Sequence, residues 1–250
     1  MLTLLGAGRP QFTSSPASYG GLIRWWDAGS LTYANNTPID NGANKLIDRS
    51  GTLDHAGQAT AGNQPLCRTN IANGLRGIAF DGADDFLNFT NIAALTSITI
   101  IAVCLNAQAG AGAAGLLKDS VAGGGEYLDL AVGPHATWRL KDASGDIGIS
   151  TDFLAPDQIS IACVSIAGDT VGGSINNVDF YEGGVARSTQ TVATFAWTGN
   201  QIGTALAVPV TTSWNGFLHE LVIYNQKRTA AEIAFLYTNY FKPRWGIAFP

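Results

Sequence analysis

The feature that most constrains the fold is a long succession of short apolar segments, each bounded by glycine, asparagine, aspartate or proline. They include LIRWWDA, RGIAFDG, SITIIAVCLNA, QISIACVSIAG and GFLHELVIYNQ. Segments of this length, separated by glycine-containing turns, are typical of the strands of a sandwich or barrel rather than of alternating strands and helices. The sequence therefore predicts an all-β fold.

The chain is expected to form one domain. Its 250 residues are enough to bury a large core without disulfide bonds or metals. Neither a repeat of fixed period nor a linker-like change of composition follows residue 20. We therefore expect a domain over residues 20–250, preceded by an N-terminal arm or docking segment over residues 1–19. The short apolar start of that arm has no cationic region before it, so we expect no signal peptide.

One amphipathic helix is predicted near the C-terminal end, in KRTAAEIAFLYTNYFKP. Thr229 is followed three residues later by Glu232, which is the pattern of a capping box. The apolar residues that then recur at the spacing of one helical face are Ile233, Leu236, Tyr237 and Tyr240. Pro243 is expected to end the helix. We expect the apolar face to pack across the sandwich or to cap one end of it.

Charge and cysteine content exclude several classes of function. Charged residues make up only 13% of the chain and the net charge is −5, so nothing favours binding to nucleic acid, which needs clustered lysine and arginine. No apolar run reaches the roughly 18 residues of a membrane helix, so we expect no membrane insertion. The cysteines number three, and Cys104 and Cys163 lie in apolar segments, which predicts buried, inert thiols.

Two stretches resemble a known family. The segments LIDRSG and AGQATAGNQPLCRTNIANGLRGIAFDGADDFLNF are similar to the opening of the concanavalin A-like lectin/glucanase (laminin-G-like) superfamily. In its bacterial and phage members an Asp-x-Ser-Gly turn precedes a Gln-Pro segment and a Phe-Asp-Gly-x-x-Asp hairpin. The segment WNGFLHELVIYNQKRTAAEIAFLYTNYFK resembles that group's final strand and capped helix. The resemblance implies a concanavalin A-like jelly-roll sandwich of two antiparallel sheets with one short C-terminal helix.

The most concentrated group of carboxylates is Asp81, Asp84 and Asp85, between the apolar runs that end at Phe80 and begin at Phe86. The segment is short enough to close a hairpin, with Gly82 supplying a positive φ and the aspartates accepting bonds from backbone amides. The alternative is a calcium site, because oxygen-rich loops suit that ion. We favour the structural turn and keep calcium as the alternative; no other cofactor is expected.

A glycosidase needs two carboxylates that face each other about 5 to 10 Å apart. The glucanases of the superfamily that the chain resembles carry them as Glu-x-Asp-x-x-Glu on one strand. The nearest match is GEYLDLAV, where Glu126 and Asp129 are three positions apart and would point to opposite faces of a strand. The second glutamate of the motif is missing, so we expect no catalytic activity.

Tryptophan is the candidate residue for sugar binding, because aromatic faces stack on sugar rings. The chain has six tryptophans, and three lie beside turns where exposure is expected: Trp138, Trp197 and Trp214. The alternative is that most of these rings fill the core. Trp25 and Trp26 are adjacent on a predicted strand, so one is expected to face the core and the other outward. Trp245, which follows the predicted helix, is expected to dock onto a neighbouring molecule.

Within this family resemblance, the favoured function is a structural or attachment protein on the surface of a phage virion, such as a capsid decoration, head fibre or tail component. Its expected partners are other virion proteins, copies of itself in a homo-oligomer, and glycans of the host surface. The alternatives are a secreted, extracellular carbohydrate-binding module and a β-glucanase.

Overall fold

The structure is a computed structural model that describes part of the chain. The described residues are 14–93, 95, 97–107, 112–119, 127–132, 136–142, 145–149, 159–167, 176–192, 199–203 and 213–246. Within them, strands form two antiparallel sheets, which confirms the predicted all-β sandwich. Three single-turn 3-10 helices, Pro16–Ser18, Ala28–Ser30 and Ala61–Asn63, lie in the connections of this part of the chain.

The larger sheet has nine strands. They are β1 (Leu22–Asp27), β2 (Thr37–Pro38), β3 (Leu66–Ala72), β4 (Leu75–Asp81), β6 (Ile98–Asn106), β11 (Ile159–Ala167), β12 (Asn176–Glu182), β13 (Val185–Val192) and β15 (Asn215–Tyr224). Their order across the sheet is β13-β12-β11-β6-β15-β4-β3-β2, and β1 also pairs with β15.

The smaller sheet has six strands. They are β5 (Leu87–Asn88), β7 (Gly112–Asp119), β8 (Tyr127–Val132), β9 (Ala136–Asp142), β10 (Gly145–Ile149) and β14 (Gly199–Ile202). Their order is β10-β9-β8-β7-β14-β5.

Strand β15 changes partner half-way along one of its edges. Its first residues, 215–218, pair with β4, and residues 220–224 pair with β1. The register against β6 on the other edge shifts between Leu218 and Glu220, so His219 lies in a β-bulge at the point of the change. The pairing with β1 that follows the bulge sets Asp27 opposite Glu220.

The domain has two hydrophobic cores. One lies between the two sheets and contains Trp26, Trp214, Leu218 and Leu221 among many others. The second lies on the outer face of the larger sheet and joins strand residues such as Val222 to the C-terminal helix. The helix therefore packs across the sandwich, as one of the two predicted arrangements proposed, and makes a third layer.

The helical segment runs over 16 residues. An α-helix, α1 (Ala230–Leu236), leads into a π-helical turn (Tyr237–Phe241) and a short α-helix, α2 (Lys242–Trp245). The predicted capping box is present, and the predicted apolar face is buried in the second core. The prediction that Pro243 ends the helix is wrong: the proline lies in the first turn of α2, where its missing N–H costs little, and Gly246 at a φ of +66° ends the segment.

The helix layer also overturns two predictions about tryptophan. Trp26 faces the inter-sheet core and Trp25 the opposite side of the sheet, but Trp25 is buried there under the helix instead of facing outward. Trp245 packs into the same second core of its own chain and is 1% exposed, so the prediction that it docks onto a neighbouring molecule is wrong.

The remaining sequence predictions on the overall fold have mixed outcomes. Cys104 and Cys163 are buried and free, as predicted. In the described part of the chain, no helix has both the length and the apolar character that crossing a bilayer requires. Residues 1–13 of the predicted arm lie outside the described residues; of the following residues, Pro16 is buried and its carbonyl accepts a hydrogen bond from the Tyr224 hydroxyl. The division into arm and domain stays a prediction.

We expect Thr229→Ala to lower the free energy of unfolding by about 1 kcal/mol, because an N-cap hydroxyl satisfies a helical N–H that would otherwise be unpaired. The Thr229 Oγ1 atom accepts a hydrogen bond from the backbone N–H of Glu232 at 3.3 Å, and the Glu232 carboxylate accepts one from the backbone N–H of Thr229 at 2.8 Å. Urea unfolding measures the change. Thr32→Ala, at an exposed threonine outside any helix, is the control, and an equal loss in both variants would contradict the capping role.

Candidate functional site

The Asp81–Asp85 segment is a tightly bonded turn. Asp81 Oδ1 accepts hydrogen bonds from the backbone N–H of Ala83 at 2.8 Å and of Asp84 at 3.3 Å. Asp85 Oδ2 accepts one from the backbone N–H of Asp81 at 2.9 Å. Gly82 has a φ of +79°, as the sequence predicted, and a side chain there would collide with Asn215. These bonds support the structural interpretation of the aspartates.

The turn is not the predicted hairpin, however. The strand before it, β4, belongs to the larger sheet, and the strand after it, β5, pairs with β14 in the smaller sheet. The two apolar runs therefore do not pair with each other. Their buried side chains, Phe80 and Leu87, both enter the inter-sheet core, and the turn carries the chain from one sheet to the other.

The same three aspartates could hold a cation. Asp81, Asp84 and Asp85 each offer one carboxylate oxygen, and these oxygens lie within 4.8 Å of one another. Burial raises the pKa of Asp85 to about 6, and the negative charges of Asp81 and Asp84 add to the rise. A calcium ion would relieve this repulsion with the oxygen ligands that it prefers. The calcium site stays a prediction beside the turn.

The predicted sugar-binding tryptophans have different outcomes. Trp214 is fully buried between the sheets, so the expectation that it is exposed beside a turn is wrong, and its ring offers no open face to a sugar. Trp197 lies outside the described residues. For Trp138 the structure describes the backbone in β9 but not the side chain. The proposed roles of Trp138 and Trp197 stay predictions.

The acids of the broken glucanase motif also fall largely outside the described part. Glu126 is not described, and Asp129 is placed by its backbone in β8, where it pairs with Arg139 of β9.

Glu220 is the centre of a buried polar cluster. Its side chain is fully buried, and its Oε1 atom accepts hydrogen bonds from Trp25 Nε1 at 2.6 Å and the Tyr240 hydroxyl at 2.8 Å. Its Oε2 atom accepts one from Trp245 Nε1 at 2.8 Å. The position of Glu220 in the apolar segment GFLHELVIYNQ indicates a partly buried, hydrogen-bonded carboxylate; the burial is complete because the helix covers this face of the sheet.

A second buried carboxylate, Asp27, completes the cluster. Asp27 Oδ2 lies 2.5 Å from Arg49 Nη1 and 2.6 Å from Arg244 Nη2, and Arg244 Nε lies 3.6 Å from Glu220 Oε2. Burial and the negative charge of Asp27 raise the pKa of Glu220 to about 7, against the opposing effect of Arg244. The sequence analysis missed Asp27 and Arg244, which are 217 positions apart and share no local motif.

The bulge in β15 breaks the alternation of side chains along the strand. Strict alternation would place His219 and Glu220 on opposite faces of the sheet and Glu220 on the same face as Leu218. Instead, the His219 ring centroid lies 5.1 Å from that of Trp245, the residue that also bonds Glu220, while Leu218 faces the inter-sheet core. Burial lowers the pKa of His219 to about 4, so the ring is neutral at pH 7 and packs beside the cluster.

Comparison with solved structures places the architecture among known β-sandwiches. Domain 4 of AbnA, a GH43 extracellular arabinanase from Geobacillus stearothermophilus in complex with arabinotriose, matches with a TM-score of 0.59 at 12% identity, covering 86% of this chain and 97% of that one. A heptameric SAP-like pentraxin from Limulus polyphemus matches with a TM-score of 0.52 at 16% identity, covering 64% and 81%. Trypanosoma rangeli sialidase matches with a TM-score of 0.57 at 17% identity, covering 88% of this chain but 33% of the sialidase. The likeness shows the fold.

At 12–17% identity these matches bear on the fold alone, and they agree with the β-sandwich that the sequence predicts. No family model matches the sequence, and neither does any curated protein.

The comparisons overturn the expectation that the chain has no catalytic activity. Two of the similar chains belong to enzymes, an arabinanase and a sialidase, and they point towards a glycoside hydrolase-like fold. The expectation rested on the missing glutamate of one glucanase motif. That absence excludes one arrangement of carboxylates and not the class of enzyme.

The raised pKa of Glu220 predicts how stability depends on pH. The folded state holds this proton more tightly than the unfolded state, whose pKa is 4.5, so the stabilisation is complete below about pH 4.5 and is lost as the pH rises through about 7. We expect the unfolding free energy to fall by about 1 kcal/mol between pH 6.5 and 8, and Glu220→Gln to flatten this slope. Burial of His219 acts in the opposite sense, mainly below pH 6.5, and offsets only part of the fall within the window.

Urea unfolding at several pH values measures the slope. Glu232→Gln is the matched control, because Glu232 is a half-buried carboxylate whose pKa is lowered and which therefore titrates well below the window. A wild-type slope that Glu220→Gln leaves unchanged would show that another group titrates.

A second prediction concerns the aspartate turn. We expect Asp81→Ala to lower the unfolding free energy by about 1 kcal/mol, because it removes the acceptor of two backbone N–H groups. If the cluster serves the turn alone, calcium added in a calorimetric titration releases no heat and the melting temperature stays constant. A calcium-dependent rise in melting temperature that disappears in Asp84→Asn, which leaves the bonds of Asp81 and Asp85 in place, would instead assign a calcium site.

Proposed function

We propose that this chain is a carbohydrate-recognising β-sandwich module that serves attachment on the surface of a phage virion, as a capsid decoration, head fibre or tail component. The observation that carries the carbohydrate part is the likeness to domain 4 of the arabinanase. That domain was solved with arabinotriose, and the match extends over 97% of its length. A module of the same architecture and size is well suited to hold a short stretch of polysaccharide.

The virion part of the proposal is supported by the resemblance of the sequence to phage-associated members of the superfamily. Only 13% of the residues in the chain are charged. This low content also suits contacts with other proteins, because few charges then need to be desolvated. The proposed partners are other virion proteins, copies of the same chain, and host glycans. An extracellular carbohydrate-binding module is the second candidate, and the same likeness to the arabinanase domain favours it.

Recognition is proposed to use exposed aromatic rings. Trp138 and Trp197 remain the proposed stacking residues, since the apolar faces of sugar rings pack on aromatic rings. The Asp81–Asp85 turn is proposed as a site where calcium could fix the loops around the sugar.

A glycan array that includes arabinan and other plant, bacterial and host oligosaccharides tests the carbohydrate part. We expect selective binding that Trp138→Ala weakens about fivefold or more, because loss of one stacked ring costs on the order of 1 kcal/mol or more. Phe235→Ala is the matched control, since Phe235 is an aromatic side chain 47% exposed on the helix layer, on the far side of the larger sheet from the core between the sheets. A folded protein that binds no glycan would contradict the proposal.

The same experiment measures catalysis. Reducing-sugar release from each bound glycan, abolished by Glu126→Gln, would assign hydrolysis to this module in addition to binding. Mass spectrometry of purified phage particles, with size-exclusion and light scattering of the isolated protein, tests the attachment role. Absence of the chain from particles would contradict the virion location and favour the extracellular module.

A further inference from the structure

A small surface pocket lies beside the 3-10 turn Ala28–Ser30, next to the buried charge cluster. Its volume is about 190 Å³. Its lining residues are Ser30, Leu31, Thr32, Tyr33, Ile47 and Arg49. Pockets that enclose drug-sized ligands have volumes of about 300–1,000 Å³, so this one suits a single ring.

One wall of the pocket is apolar and held in place. Tyr33 and Ile47 are half-buried and pack against the inter-sheet core. The Tyr33 hydroxyl donates to the backbone carbonyl of Lys45 at 2.8 Å, and its own carbonyl accepts from Arg76 Nε at 2.9 Å. Ser30 and Thr32 are exposed and add hydroxyl groups. An aromatic wall with a few hydroxyl groups is the composition of sugar sites.

Arg49 brings a fixed positive charge to the pocket. Its side chain is 40% exposed, although Nη1 bonds the buried Asp27. The guanidinium carbon lies 4.5 Å from the ring centroid of Trp25, so one face of the group is covered. A guanidinium has five N–H donors in a rigid fork, and the exposed part of this one can present several to a ligand.

The cluster behind Arg49 leaves part of that charge uncompensated. Two guanidinium groups, Arg49 and Arg244, share the carboxylate of Asp27, and the second acid, Glu220, lies near Arg244. The pKa of Glu220 is raised by burial to about 7, so at neutral pH this acid is only partly ionised. Arg49 is the exposed end of the group, and the positive potential therefore faces the pocket.

We infer that this pocket binds a single sugar ring that carries a carboxylate, such as a uronic acid, with the carboxylate on Arg49 and the ring against Tyr33 and Ile47. This inference rests on the proposed carbohydrate function and adds to the proposed stacking residues Trp138 and Trp197 a further sugar site with a defined substrate class. Arginine is suited to the task because its planar fork matches a carboxylate with two parallel hydrogen bonds.

The test is an NMR titration with methyl galactopyranosiduronate and, for comparison, methyl galactopyranoside, which carries a hydroxymethyl group in place of the carboxylate. We expect the acidic sugar to bind at least about tenfold more tightly, since hydrogen bonds to charged groups contribute that much or more. Arg49→Gln should remove this preference. Arg187→Gln is the matched control, because Arg187 of β13 is 43% exposed and pairs at 3.1 Å with the buried Glu182 of β12.

A second variant guards against loss of folding in Arg49→Gln. Thr32→Trp fills the pocket from an exposed position and leaves the bonds of Asp27 intact, so it should abolish binding of the acidic sugar with an unchanged melting temperature. Equal affinity for the two sugars, or binding that neither variant changes, would overturn the inference while the glycan array still supports the proposed function. If the folded protein binds no glycan on the array and neither sugar, both fail.

Discussion

The buried carboxylate of Glu220 is the interaction on which the arrangement of this domain depends. A carboxylate taken out of water costs several kcal/mol unless hydrogen bonds and an opposite charge replace the lost hydration. Here the replacements come from distant parts of the chain: Trp25 from β1, Tyr240 from the π turn and Trp245 from α2. Each donor is in place only when its own element is docked, so the strand, the helix and the sheet are specified together.

The bulge at His219 makes this convergence possible. It changes the alternation of β15 at the point where the partner strand changes from β4 to β1, and so it turns both His219 and Glu220 towards the helix layer. The pairing then sets Asp27 opposite Glu220, which would place two carboxylates side by side without relief. The positive charges of Arg244 and Arg49 offset this repulsion. Arg49 also reaches the surface, where it forms the charged side of a pocket.

Local signals in the sequence predicted much of this fold. The capping box of Thr229 and Glu232 and the apolar spacing after it depend on near neighbours alone, and both are present in the structure. In the structure all seven residues from Leu218 to Tyr224 of β15 are buried, because the helix covers the face of the strand opposite the inter-sheet core.

What the sequence did not predict depends on contacts between distant residues. A bulge has no reliable local pattern, and the alternation rule failed at His219 for that reason. The turn at Asp81 was recognised from its glycine and aspartates, but which sheet the next strand joins depends on the pairing of Leu87 with Ile202 of β14, far along the chain. No local motif marks Asp27 and Arg244, because they come together only when the C-terminal helix packs on the sheet.

The pairing of β1 with the second half of β15 has a consequence for biosynthesis. Strand β1 is among the earliest parts of the domain to leave the ribosome, yet its neighbour in the sheet and the helix that covers Trp25 are among the latest. Until those residues emerge, a nascent chain must keep the indole rings of Trp25 and Trp26 out of wrong associations. Folding of this domain during translation can therefore be completed only after the C-terminal helix has been made. A chaperone that shields Trp25 and Trp26 would be needed most while the middle strands are being synthesised.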